Sequence, residues 1–487
     1  MKKWVIVVLC IVAVIVVLGA VIAVKTMTFS SKQLPAGSKV TYSIDKNQAA
    51  QRLSESIKFK TIFNADTSQV DYEPFAKLQE YLKNTYPLVH STTELKVING
   101  YGLLYMWKGS DPQKKPILML AHQDVVPAPE EGWTYPPFSG TIADGYIWGR
   151  GTLDDKCTLL GMLEAMEYLI KEGFQPSRSI YLASGFDEEI TGMQGAGKIA
   201  QYFKDNGQDF ELITDEGFVV ISGAVPGVAV PVALIGIAEK GYLSLELSAE
   251  SEGGHASMPP RQTTAGIVAA AVDKLEKNPF PGNLSGPASW MFDYLGPEMT
   301  PLYKTIFANM WLLGPVIEGQ LAASPPTDAT LRTTTAPTML KGSDRENVLP
   351  ARSSAVVNFR LLPGDTIESV TQRVIKVIDD PRVTVKRYGQ GANEASPVSS
   401  TDTWAFKTFR QTIRDIFPEA VIAPALANSA SDVTRYIDLS PNVLRFLPQR
   451  LTSEDLSMIH GINERISIDN YGEMIDFYIQ LIKNFCK

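Results

Sequence analysis

The sequence predicts an α/β protein with a mostly parallel sheet, interrupted by a smaller α+β domain and preceded by one long apolar helix. Three observations carry this prediction. Continuous apolar runs alternate with amphipathic segments through residues 116–214, the order of elements changes after residue 239, and residues 4–24 contain no charge at all.

The apolar segment comes first. Its length matches the ~20 residues a helix needs to cross a bilayer and exceeds the roughly 7–15 apolar residues of a secretory signal. Lys2 and Lys3 precede it and Lys25 ends it, which favours a cytoplasmic N-terminus with the rest of the chain outside. Gly19, Ala20 and Ala23 leave a long, cleaved signal peptide as the alternative. Either way the remainder is exported. Residues 1–25 are therefore an anchor or signal, and residues 26–45, rich in Ser, Gly, Pro and Lys without a period, form a linker.

A first domain spans residues 46–238. Residues 116–121 (PILMLA), 179–184 (SIYLAS) and 210–214 (FELIT) read as buried strands. Leu159, Met162, Leu163 and Met166 recur at helical spacing between the first two. Such runs, separated by amphipathic helices, predict a parallel sheet whose ligands bind at the carboxyl ends of its strands.

In residues 239–390 the order becomes strand (242–249), helix (264–277), strands (335–340 and 355–361), helix (367–378) and strand (383–388). That β-α-β-β-α-β order resembles a ferredoxin-like domain. Residues 279–329, rich in Pro, Trp, Met and Phe, show no period and receive no predicted structure. Residues 391–487 return to helix-rich α/β and end in an amphipathic helix, 471–485. One domain is thus inserted in another.

The formal charge of -8 argues against nucleic acid, which needs a basic patch. Three cysteines, Cys10, Cys157 and Cys486, cannot build a disulfide framework.

The chemistry lies in a few motifs. Of four histidines, His122, His255 and His460 stand in them and His90 does not. His122 and Asp124 follow a buried strand and, two residues apart, point the same way. A metal-binding imidazole usually gives its second N–H to a carboxylate, and Asp124 is placed for that. Asp154 and Asp155 (GRGTLDDK) precede a helix, where acids alone would serve as N-cap and dipole partners. Asp187, Glu188 and Glu189 are three successive acids at a strand end, which repel one another unless a cation or solvent screens them. Asp215 and Glu216 end the next strand in the same manner, and His460 (IHGINE) arrives late in the chain. Imidazoles with carboxylates and no cysteine pair suit Zn²⁺, and Co²⁺ or Mn²⁺ also satisfy such donors. More acids than one ion needs point to two ions about 3.5–4 Å apart, bridged by an acid and a water.

In order, AHQDVVP, GRGTLDDK, DEE, DEG, GGHAS, NVLP, NFRLLPG and HGINE resemble the di-zinc metallopeptidases that include aminoacylase, carboxypeptidase S and succinyl-diaminopimelate desuccinylase. The likeness covers about residues 46–487 and points to the branch of carboxypeptidase S and the N-fatty-acyl-amino-acid synthase/hydrolase. It implies that His122 binds one zinc and His460 the other, with Asp154 bridging and Glu189 on the ion of His460. The remaining ligand falls in the Asp215–Glu216 pair; the resemblance favours Glu216, with Asp215 the alternative. Glu188 would be the general base, Asp124 the partner of His122, and the Asp154–Asp155 peptide cis. From the inserted lid domain, His255 would reach the substrate carbonyl, while Asn347 and Arg360 would hold the substrate. The implied activity is hydrolysis of amide bonds beside a free carboxylate, in small peptides or N-acyl amino acids. The same site run towards synthesis, and a non-catalytic binding protein, are the alternatives. A homodimer through the inserted domain is compatible with the resemblance.

Overall fold

The strands expected to be buried form the centre of an eight-stranded sheet. The computed structural model describes residues 3–389, 391–428 and 430–487. Lys2 of the basic flank and Gln390 of the expected domain boundary lie outside the described residues. The strand order is Glu94–Ile98, Gly102–Trp107, Ile180–Gly185, Ile117–His122, Leu212–Ile221, Val443–Leu451, Val232–Glu239 and Val421–Ala427. Ile117–His122 runs parallel to both neighbours, with His122 opposite Gly185 and Met119 opposite Thr214. Val443–Leu451 continues in parallel beside Leu212–Ile221. The first two strands pair antiparallel at one edge. Parallel pairing sends His122, the Asp187–Glu189 triplet and the Asp215–Glu216 pair to the same edge, which positions the site.

Helices cover this sheet because their apolar faces have nowhere else to go. The Lys156–Lys171 helix is buried along Leu159, Leu160, Leu163 and Met166, and the Ile468–Cys486 helix packs against it. Asp45 caps the Lys46–Ile57 helix by accepting from the backbone N–H of Gln48.

A second sheet has the order Thr334–Lys341, Arg352–Leu361, Gly241–Glu250, Thr384–Arg387, all antiparallel. The helices Thr264–Lys277 and Ile367–Ile378 bury Val268, Val272, Val370 and Val374 against Leu243, Leu245, Val357 and Phe359 in a core separate from the first.

Residues 279–329, left without a prediction, are largely helical: Pro287–Leu295, Pro301–Ala308 and Met310–Leu321, with Pro325–Leu331 following. Pro287, Pro301 and Pro325 stand in first turns, where the missing N–H costs nothing. The Pro287–Leu295 helix packs on the edge strand Val421–Ala427 of the large sheet.

The N-terminal helix runs Lys3–Thr28, with mean hydropathy 3.6 and no buried residue. It is a candidate membrane span. The chain after it has no regular structure but is tied down: Gln33 exchanges hydrogen bonds with both backbone groups of Ile422 (3.0 and 2.9 Å), and Val40 N–H donates to Asp415 O (2.7 Å).

Candidate metal centre and hydrolytic site

His122 is the last residue of its strand and is almost fully buried. Its Nδ1 lies 3.0 Å from the backbone oxygen of Asp124 and 3.4 Å from Asp124 Oδ1. A carbonyl can only accept, so Nδ1 carries a proton, which leaves Nε2 as the ring atom available to a metal ion. The sequence pointed to the carboxylate of Asp124 as the orienting partner; its backbone oxygen lies closer. The carboxylate has other work as well, accepting from the N–H groups of Glu188 (3.2 Å) and Glu189 (3.1 Å).

His122 Nε2 faces Asp154 Oδ1 at 3.0 Å, while His460 Nε2 faces Asp154 Oδ2 at 3.0 Å and Glu189 Oε2 at 3.1 Å. Glu216 Oε2 is 3.9 Å from His122 Nε2. Asp215, next to it on the same strand, instead accepts from Val433 N–H at 2.8 Å. Glu188 lines the same cleft as Asp154, Glu189, Glu216 and His460. Asp187, the first acid of the triplet, accepts from Gln194 and Gly195 N–H and serves the loop. Asp155 does not cap the helix it precedes; its Oδ2 accepts from His122 N–H at 3.2 Å, and the Asp154–Asp155 peptide is cis.

The donor set fits divalent ions. The atoms of His122, Asp154 and Glu189 lie within 4.8 Å of one another, as do those of His122, Asp155 and Glu216. Glu189 Oε1 and Asp155 Oδ1 are buried without a hydrogen-bond partner. Burial pushes the Glu188 carboxyl well above its ordinary range against the pull of His122, with Asp154, Asp124 and Glu189 adding to the push. Glu216 is raised in the same way by burial and by Asp154 and Glu188. His460, hydrogen-bonded to Asp154 and Glu189, is drawn up to about 10. So many acids at one strand edge repel one another, and a bound divalent cation would offset that repulsion.

Several supporting residues were not legible as such in the sequence. Glu464 Oε1 accepts from the N–H groups of Gly151 (3.0 Å), Leu153 (2.8 Å) and Asp154 (3.3 Å), while Oε2 pairs with buried Arg150. Arg150 also donates to Gly461 O at 2.9 Å. The pair thereby joins the loop carrying Asp154 to the loop carrying His460. Arg445, lining the cleft, donates through Nε to Glu239 at 2.9 Å, and both its Nη atoms are buried without partners. Gly217 is required beside it: φ is +151°, and a Cβ there would stand 2.7 Å from Arg445 Cβ.

The three residues expected to contact substrate from the inserted domain are not part of the cleft lining. His255 and Asn347 are exposed neighbours, with Ala256 N–H donating to Asn347 O at 3.0 Å and His255 Nδ1 2.7 Å from Ser257 Oγ. Arg360 lies opposite Tyr242 in the sheet, its guanidinium 4.8 Å from the centre of that ring. His90, outside every motif, bonds Tyr86 O and packs on Tyr105.

An α/β sheet with imidazoles and carboxylates gathered at its strand ends offers the kind of donor set that metal-dependent hydrolases use. The family described as Peptidase family M20/M25/M40 matches residues 118–484, and the chain belongs to it. It is 43% identical over 442 residues to "Probable carboxypeptidase S-like 2" of Dictyostelium discoideum, covering 90% of this chain and 85% of that one. It is 38% identical over 479 residues to "N-fatty-acyl-amino acid synthase/hydrolase PM20D1" of Xenopus tropicalis, covering 96% and 93%. Among solved structures it resembles an M20 family metallo-carboxypeptidase from Sulfolobus solfataricus, with TM-score 0.63, 18% identity and coverage of 90% and 99%. Human carnosine dipeptidase 1 superposes with TM-score 0.59, 13% identity and coverage of 90% and 96%. The protein is a hydrolase acting on amide bonds, in a family that uses divalent metal.

Proposed function

We propose that the chain is a membrane-anchored, di-zinc carboxypeptidase or N-acyl-amino-acid hydrolase that cuts amide bonds beside a free carboxylate. The observation that carries this reading is the carboxylate of Asp154, whose two oxygens face two different imidazoles. His122, Asp154 and Glu216 would hold one ion, and His460, Asp154 and Glu189 the other. When bound, the ions would supply Lewis acidity and lower the pKa of a water at the site.

The chain's own residues do the rest. Asp124 fixes the His122 ring through its backbone oxygen and the Glu188–Glu189 turn through its carboxylate. Glu188 takes a proton from the attacking water and returns it to the leaving nitrogen. His255 donates to the oxygen of the carbonyl as negative charge develops there. Arg360 offers a planar, two-point contact to the substrate carboxylate, with Asn347 beside it. Because these three do not line the cleft, productive binding requires the smaller domain to close over it, or a second copy to present its own.

The likeness to a synthase/hydrolase of N-fatty-acyl amino acids supports an N-acyl amino acid as substrate and the same site run towards synthesis as the second reading. A non-catalytic role is disfavoured because every expected ligand and Glu188 are present. The Lys3–Thr28 helix is the anchor; cleavage near residue 24 would instead release the enzyme. The test is to assay residues 30–487 on Gly-Xaa dipeptides and N-acyl amino acids with added zinc, cobalt or manganese. Metal-dependent release of the free amino acid supports the reading, and inactivity on both classes with any metal overturns it.

A further inference from the structure

We infer that the Met310–Leu321 helix and the start of the Pro301–Ala308 helix form a second membrane contact, seated in the surface of the bilayer that the N-terminal helix spans. The inference rests on the anchor reading given above and goes beyond it.

The sequence of this segment is unusual for a surface. Met310 to Ile317 reads Met-Trp-Leu-Leu-Gly-Pro-Val-Ile, with no charge between Lys304 and Glu318. Leu312 and Val316, and beside them Trp311 and Pro315, are four apart and so form two neighbouring rows on one helical face. That face is open: Trp311 is 53% exposed, Val316 62%, and Leu302 on the preceding helix 69%. Ile317 turns the other way and is buried. Singly exposed apolar residues are ordinary, but a contiguous face of this kind marks an interaction surface.

The position of the face identifies its occupant. Buried Asn309, immediately before the helix, donates from Nδ2 to Thr26 Oγ1 at 3.2 Å and to Ile22 O at 3.4 Å. The Lys25 ammonium lies 5.7 Å from the centre of the Trp311 ring, and the Phe29 ring lies against Gly296. Ile22 is one turn inside Lys25, roughly 4–5 Å along the helix axis. The Met310–Leu321 helix therefore begins level with the last apolar turn of the span, where headgroups meet acyl chains. Trp and Tyr favour that depth, and an apolar face there buries itself in lipid. Trp311 and Tyr303 supply the aromatic rings, and Lys25 and Lys304 supply cations for headgroup phosphates.

The test uses the full chain in vesicles of phosphatidylcholine and phosphatidylserine. Cys10, on the span, is the exposed native cysteine, whereas Cys157 and Cys486 are buried. A spin label on Cys10 reports the anchor. Labels on Leu312→Cys, Val316→Cys and Asn206→Cys, each with Cys10→Ser, report the proposed face and an exposed water-phase control. Collision with oxygen and with a water-soluble nickel complex is measured at each site. The expected result is that residues 312 and 316 meet nickel at least about five-fold less often than residue 206, with oxygen contact raised. If residues 312 and 316 meet nickel as often as residue 206 while Cys10 is shielded, the anchor stands and the second contact is overturned. If the 316 labels broaden one another at short range, a second copy covers the face and the proposal again fails. If Cys10 itself is open to nickel, the anchor reading falls, and with it the bilayer contact that depends on it.

Discussion

His460 Nε2 stands 3.0 Å from Oδ2 of Asp154, whose other oxygen faces His122. In the proposed reading this one carboxylate is shared by two half-sites, one of them completed by His460 from late in the chain. Replacing a residue of one half should therefore leave the other half occupied. For His460→Ala, metal analysis of the purified protein should give close to one ion per chain, against two for the wild type. Asp154→Ala removes the shared member and should lower both. Equal metal content in His460→Ala and wild type would sink the two-ion reading.

Glu188 donates to no metal in this assignment, so its loss separates chemistry from binding. Glu188→Gln should keep the wild-type metal content and lower kcat by about 100-fold or more, since a general base contributes roughly 10²–10⁴. Unchanged turnover would mean that another group moves the proton.

Glu464 is the clearest residue whose value comes from what it holds. It gives one oxygen to three backbone N–H groups of the loop that carries Asp154 and the other to buried Arg150. Removing one member of a buried pair leaves an uncompensated charge and costs about 3–5 kcal/mol. Glu464→Gln should lower the unfolding temperature markedly and let metal escape on dialysis. Restored thermal stability with saturating zinc would show that the loop remains capable of binding, because a ligand that binds only the folded state stabilises it.

These residues also show where the sequence was readable. Short, continuous apolar strands announced themselves, and parallel pairing then placed His122, Glu188 and Glu189 at one edge. Asp215 and Glu216 could not be ranked from spacing because neighbours on a strand point to opposite faces, and the register that chooses between them is tertiary. In the fold Asp215 turns to Val433, and Glu216 turns to His122. Glu464 lay inside a recognised motif, but its partners are some 310 residues away in sequence. The helices of residues 279–329 escaped notice because prolines occupy their first turns, and Met310–Leu321 is apolar on nearly every side.

Asp476 ties the segment after the N-terminal apolar helix to the C-terminal helix by accepting from Tyr42 N–H at 3.1 Å. Burial raises its carboxyl from 3.8 to about 6, against the pull of that N–H and of Lys46 and Lys39. A folded-state pKa above the unfolded value favours the neutral acid. The stability it contributes is full below pH 4 and is lost as pH rises through about 6. Asp476→Asn removes the titration and should be more stable than wild type at pH 7 by about 1–3 kcal/mol, with the difference shrinking towards pH 4. Thermal unfolding across pH 4–7 checks this; parallel curves for the two proteins would contradict it.

Specificity is assigned to Arg360, which the fold places outside the cleft, its guanidinium over the Tyr242 ring. If closure brings it to the substrate carboxylate, the contact forms on binding and persists through the transition state, so its loss falls mostly on KM. A charged hydrogen bond contributes about 1.5–3 kcal/mol, and the partner left unpaired costs more. Arg360→Ala should therefore lower kcat/KM for N-acyl amino acids by at least ~10-fold. The matching amides, which lack the carboxylate, should be poor substrates for the wild type and nearly indifferent to the substitution. Arg360→Lys keeps the charge but not the planar fork, and should recover only part of the loss. The four rate constants form a cycle in which the carboxylate and the guanidinium are each removed once. A large coupling between them means that the enzyme reads the free carboxylate. Equal losses on acid and amide would mean that Arg360 supports its own strand through Tyr242, and the exopeptidase reading would lose its main physical argument.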